Sequence, residues 1–159
     1  MGSRSVSPRP ELLAPAGGPD ALRAAVANGA DAVYLGLSEL NARRGAVNFT
    51  FETLADAIRH AHLRGVRVYL TANVLVLPEE ADRALEMVAL AWQAGVDAVI
   101  VQDLGLIRLL RAELPDVRIH ASTQIDVHNV DAIAAVAESG VSRVTLAREL
   151  SVAEIASTL

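Results

Sequence analysis

The chain has 159 residues, of which 52% are hydrophobic, and a formal net charge of −5. Such a length and composition support a packed globule and exclude a disordered chain, and the acid excess argues against a broad basic face for nucleic acid. There is no cysteine, and all 14 basic residues are arginine; disulfides, cysteine-ligated metal, Schiff-base chemistry and a P-loop lysine are therefore excluded within this chain.

Residues 1–10, "MGSRSVSPRP", read as a disordered polar tail. Residues 11–159 read as a single βα domain, either an incomplete βα-barrel or an open sheet. "ELLAPAG" (11–17) supplies a first strand, and Pro19 suits the first position of a helix. Four similar segments follow: "AVANGADAVYLG", "AHLRGVRVYLTAN", "AWQAGVDAVIVQD" and "VAESGVSRVTLARE". In each, a helix ends at a glycine (Gly29, Gly65, Gly95, Gly140) and a short spacer leads into a β-branched apolar run. Glycine suits the residue just past a helix, where a left-handed backbone is needed. The runs are too uniformly apolar for a half-exposed strand and read as strands buried on both faces. "VRIHAST" (117–123) adds one more, for six strands alternating with helices. Helix starts are also legible. Thr50, Asp103 and Asn129 can cap, Pro78–Glu80 opens a third helix, and Ser151 with Glu154 matches a capping box.

Alternation with short links predicts parallel strands and right-handed crossovers. Two architectures fit: a partial TIM-barrel-like sheet of about six βα units, or an open doubly wound parallel sheet. In either, the functional face lies at the strand C-termini. Unusual polar residues gather there: Asn41 and Arg43 after strand two, Thr71 and Asn73 at strand three, Gln102 and Asp103 at strand four, Ser122, Thr123 and Gln124 at strand five, Arg148 and Glu149 at strand six. The N-terminal strand ends are expected to carry no comparable polarity. No apolar run reaches membrane-span length and no signal-peptide core is visible, which reads as a cytoplasmic protein without a membrane partner.

Each polar residue carries two readings. His120 and Ser122 share a strand face, as a nucleophile–base dyad or as hydrogen-bonded interior groups. His120 and His128 match no strong metal spacing, and His60 and His62 read as surface residues. Asp103 and Glu149 could act as paired carboxylates, against capping for Asp103 and pairing with Arg148 for Glu149. Arg43 and Arg148 could grip an anion or be solvated. Gly17 and Gly18 precede a helix N-terminus, where an anion or a plain turn both fit.

"ELLAPAGG", "GADAVYLGLSELNAR", "VQDLGLIRLLR", "IHASTQIDVHN" and "VTLARELS" closely resemble the N-terminal region of the collagenase-like peptidase family, peptidase family U32. The likeness runs from about Glu11 to Leu159. It implies a TIM-barrel-like catalytic domain with one of two activities. One is a peptidase, a hydrolase acting on collagen-like substrates. The other is oxygen-independent hydroxylation of RNA bases or a quinone precursor, with prephenate used in the RNA branch. On that resemblance Asn41, Arg43, Asp103, His120, Ser122, Thr123, Gln124, His128, Asn129, Arg148 and Glu149 line the pocket, without assigned catalytic roles; Asn73 and Gln102 join them by position. The family's iron–sulfur cluster is implied on cysteines downstream of the matched region, so this chain is expected to carry no cofactor and no metal. It is expected to be the front portion of a longer protein or a truncation, inactive alone. The parent would take a small anionic ligand or a peptide or RNA substrate. The alternative is a non-catalytic interaction module, completed by a partner or by self-association through open barrel edges.

Overall fold

The computed structural model describes residues 9–38 and 48–158. Six strands form one parallel sheet: β1 (Leu13–Pro15), β2 (Ala32–Gly36), β3 (Arg67–Ala72), β4 (Ala98–Val101), β5 (Ile119–Ala121) and β6 (Arg143–Val144). The helices are α1 (Pro19–Ala27), α2 (Phe51–His62), α3 (Ala81–Ala94), α4 (Leu104–Glu113), α5 (Val130–Glu138) and α6 (Val152–Ser157). Strand order is strictly consecutive, β1 to β6, and every pairing is parallel. A doubly wound sheet reverses its order at a switch point, so the doubly wound alternative is overturned.

The sheet also curls. Six flat strands at the usual spacing would set β1 and β6 about 24 Å apart. Instead Glu11, two residues before β1, accepts a hydrogen bond at Oε1 from Arg143 at the start of β6, at 2.7 Å. Glu11 also pairs with Arg67 at the start of β3. Only a curved sheet brings these three starts together, and the fold is a curled half-barrel with its helices outside.

Alternation along each strand sorts the core into two layers. Val33, Leu35, Val68, Leu70, Val99, Val101 and Ile119 face the helices and pack with Leu22, Leu54, Ile58, Met87, Ile107 and Leu110. The other parity faces the barrel interior, where Ala32, Tyr69 and Ala98 pack with Tyr34 and Ile100. Small residues there leave room for the tyrosine rings.

The sequence repeat explains the joints. All four repeat glycines have positive φ. Gly95 ends α3 in the left-handed region at φ 103°, which a side chain rarely tolerates. Gly140 combines φ 85° with closeness to Arg111, whose Cδ would lie 2.9 Å from an added Cβ. Two residues beyond Gly29 and Gly95, Asp31 and Asp97 occupy the same slot. Each accepts a backbone N–H near the start of the preceding strand, from Leu12 at 2.8 Å and from Val68 at 2.7 Å.

The expected caps are present at Thr50, Asp103 and Asn129, and Ser151 with Glu154 forms a capping box. Pro78–Glu80 is a correction: it forms a separate 3₁₀ turn ahead of α3. Among the described residues, no helix is long and apolar enough to cross a membrane.

Candidate functional site

Parallel strands bring their C-terminal ends to one rim. Ladder pairing aligns Thr71 with Ile100, Ile100 with His120, and His120 with Arg143. Two residues further along three of these strands stand Asn73, Gln102 and Ser122, which therefore form the next inward row. Asn73 Nδ2 donates to Gln124 Oε1 at 2.9 Å, bridging the ends of β3 and β5 over the end of β4. Asn73 Oδ1 is buried and has no hydrogen-bond partner. Gln102 is half-buried at the end of β4, beneath this bridge.

Most other rim residues serve the backbone. Asp103 caps α4 through Leu106 N at 2.8 Å and also holds Val76 N at 3.2 Å, tying the β3–α3 loop to the next helix. Its expected alternative role, capping, is the one the geometry displays. Ser122 is 3% exposed, and its Oγ accepts from Gln124 N at 3.2 Å. Thr123 Oγ1 donates to Leu146 O at 3.1 Å and links β5 to the end of β6. Asn129 caps α5 through Ala132 N at 2.8 Å. His128 Nδ1 lies 2.8 Å from Asp126 O, on the exposed side of the turn. Arg148 and Glu149 are both exposed; among the described residues they form no ion pair with each other, so the expected pairing is absent. Asn41 and Arg43 lie outside the described residues.

Strand-end polarity was expected at the rim alone, and the structure corrects this. The N-terminal floor of the barrel holds a charge cluster of Glu11, Arg67 and Arg143. Glu11 Oε2 accepts from the Tyr69 hydroxyl at 2.9 Å, Oε1 from Arg143 at 2.7 Å, and Arg67 pairs with the same carboxylate. The Arg143 guanidinium lies 5.5 Å from the centroid of the Tyr69 ring. Burial alone would raise the Glu11 carboxyl, but the bonds from Arg143 and Tyr69 and the two arginine charges hold it below the usual carboxylate range. Burial and the bond to Glu11 push the Tyr69 phenol up, and the bond to Glu11 raises Arg143.

His120 joins the two ends. It is 4% exposed, and its ring meets Tyr69 edge-on, centroids 4.8 Å apart at 80°. Burial first, then the Arg143 charge, lower its pKa to about 4, with Glu11 opposing and Arg118 and Arg67 adding to the fall. The imidazole is thus neutral at physiological pH.

Sequence reasoning missed Glu11, Arg67, Tyr69 and Arg143. A signal existed: β2 and β4 begin with alanine, whereas β3 and β6 begin with arginine. Arginine at the first position of a strand buried on both faces demands a counter-charge inside the barrel. The helix-borne histidines stay outside: His62 Nε2 lies 2.8 Å from Asp97 Oδ2, and His60 neighbours Arg64. A groove along the α1–α2 seam, touching Leu22, Arg23, Asp56 and His60, also lies outside the barrel. Its two arginines already pair with Asp20 and Asp56.

The description "Peptidase family U32" matches residues 17–158. A curated relative, "tRNA hydroxylation protein P1" of Bacillus subtilis, is 39% identical over 154 residues, covering 97% of this chain and 36% of the relative. "Collagenase" of Porphyromonas gingivalis is 34% identical over 146 residues, covering 91% of this chain and 34% of the relative. The chain thus spans about a third of the length of these relatives. A solved U32 peptidase structure superposes with a TM-score of 0.69 at 18% identity, covering 92% of this chain and 62% of that one, and shares the fold. Over nearly its whole length, from the first helix to the last, this chain belongs to peptidase family U32.

Proposed function

We propose that this chain forms the barrel portion of an RNA-hydroxylating protein and that the rim amides of Asn73, Gln102 and Gln124 receive the base. The observation that carries this reading is the engagement of Ser122. Its hydroxyl serves the backbone N–H of Gln124, and among the described residues no hydrogen bond joins it to His120. A serine peptidase needs its nucleophile bonded to a base that a third group orients. That arrangement is not built here. Neutral amides are: Asn73 and Gln124 already form a pair, with one buried acceptor left over. Side-chain amides match the hydrogen-bonding edges of unstacked bases, which is how single-stranded RNA is read. The similarity to a tRNA hydroxylation protein supports the same branch.

The family resemblance also implies an iron–sulfur cluster. This chain has no cysteine, so its own residues do not fit that group. The exposed Arg148 beside the rim is the natural cation for a small anionic co-substrate of the prephenate type.

Nucleoside mass spectrometry of RNA from a strain lacking the gene tests the reading. A hydroxylated pyrimidine nucleoside is expected to vanish and to return with the wild-type gene or with Ser122→Ala. An unchanged nucleoside profile, together with gelatin cleavage by the purified protein that Ser122→Ala abolishes, would establish the peptidase branch instead. Prephenate titration tests the cation separately: affinity indifferent to Arg148→Ala removes Arg148 from the site.

One feature favours a second reading, self-association. Among the described residues β1 and β6 each pair on one side only, and Leu12 and Leu13 at the start of β1 are exposed. An unpaired edge of this kind can template another strand. Sedimentation showing a stable monomer at micromolar concentration would reject it.

A further inference from the structure

We propose that Glu11 and Tyr69 are positioning residues for His120, a line of side chains running from the barrel floor to the row beneath the rim. The proposal rests on the rim being the site of chemistry, as argued above. Its geometry is continuous. The Glu11 carboxylate is fixed by Arg67 and Arg143, from two different strands. It accepts the Tyr69 hydroxyl at 2.9 Å, which sets the rotation of the phenol ring. The ring packs edge-on against the imidazole at 4.8 Å, and Arg143 lies over the same ring. His120 and Ser122 lie two residues apart on one strand face, so the imidazole stands directly below the inward row of Ser122, Gln102 and Asn73.

The groups facing His120 are Tyr69 from β3, Arg143 from β6 and, more distantly, Glu11, Arg67 and Arg118. One carboxylate against three guanidiniums leaves a net positive surround. The imidazole therefore stays neutral and keeps one nitrogen as an acceptor. A neutral ring offers a ligand an acceptor as well as a donor, and a ring clamped by its neighbours holds them in one orientation.

Tyr69→Phe isolates the point, because it keeps the ring and removes only the hydroxyl. Imidazole nitrogen NMR on the wild type and the variant reads the ring directly, and the nucleoside assay in the gene-deletion strain reads the function. The wild type is expected to show sharp signals of a neutral His120 ring across the neutral range. Tyr69→Phe is expected to mix or broaden the His120 signals and to lower the hydroxylated nucleoside by about tenfold or more, the scale of a misplaced group. Glu11→Gln keeps an acceptor for the phenol and should leave the His120 signals sharp. Glu11→Ala removes it and should reproduce Tyr69→Phe, which keeps the test open should Tyr69→Phe fail to fold. His120 signals unchanged in both Tyr69→Phe and Glu11→Ala overturn the proposal, as does an altered His120 with an unchanged nucleoside level. Should the wild-type gene restore no hydroxylated nucleoside, the functional reading fails, and the NMR arm still decides whether Glu11 and Tyr69 hold the imidazole.

Discussion

The floor and the rim of this half-barrel are both polar, yet they use polarity in opposite ways. At the floor, residues far apart in sequence meet: Glu11 reaches Arg143 across 132 positions and Tyr69 across 58. Full charges neutralise one another there, and the bonds tie β1, β3 and β6 together. At the rim, most bonds are local: Asp103 serves Leu106, Ser122 serves Gln124, Asn129 serves Ala132. The groups are mostly neutral, and a buried acceptor is left over. The contrast follows a general division in such barrels, where one end carries stability and the other carries chemistry. It also shows that a polar cluster near a barrel interior is not by itself a site. What distinguishes the rim is unspent hydrogen-bonding capacity.

Acid should break this contrast most strongly. His120 titrates at about 4 in the fold, against an ordinary 6.5. Between those values the unfolded chain binds a proton that the folded chain refuses, so stability falls as pH falls. The loss is about 3 kcal/mol across that window, complete near the lower value. Glu11 adds to it: its carboxyl is held below the ordinary 4.5, so its contribution is present above that value and is lost as pH drops through the lowered one. Urea unfolding at neutral pH and near pH 4.5 checks this, and His120→Asn should flatten most of the slope. A stability curve flat through this range would mean that the imidazole is solvated and the floor is open.

Glu11→Gln comes next. It keeps the acceptor for Tyr69 but strips the counter-charge from two arginines. Both arginines are partly exposed, which limits the cost to about 2 kcal/mol. Asp103→Ala should cost about 1.5 kcal/mol, because it removes a helix cap and also a bond to the β3–α3 loop. Thermal unfolding ranks the pair, and a larger loss for Asp103→Ala would place the main tie of the fold at the rim.

This division also explains what the sequence revealed. The strands, their parallel pairing and the alternation with helices were legible because they rest on local signals, a glycine followed by a β-branched run in four successive repeats, whereas the choice of barrel over doubly wound sheet needed the strand order. The caps at Thr50, Asp103, Asn129 and Ser151 were legible for the same reason, since a cap acts within three residues. The floor cluster was not, because it exists only once the sheet curls and brings residue 11 to residue 143. The rim was half legible. Parallel strands guaranteed that Gln102 and Gln124 share an end, but nothing local said that Asn73 would reach over β4 to Gln124. Nor did the pattern around Ser122 distinguish a nucleophile from a cap.

The smallest expected effect sharpens the comparison further. Gln124→Ala removes the acceptor of the Asn73 amide. Gln124 is exposed and Asn73 only half-buried, so water can replace the lost partner, and a hydrogen bond exchanged for water is worth at most about 1 kcal/mol. The thermal midpoint should therefore move little. The hydroxylated nucleoside should fall much further than stability does, because the variant also frees the Asn73 side chain to rotate and takes one amide from the proposed base-reading set. A variant away from the barrel interior, such as Leu12→Ala on the exposed edge beside β1, should leave the nucleoside level unchanged. If the two variants prove equivalent in that assay, the bridge over β4 is only another structural tie.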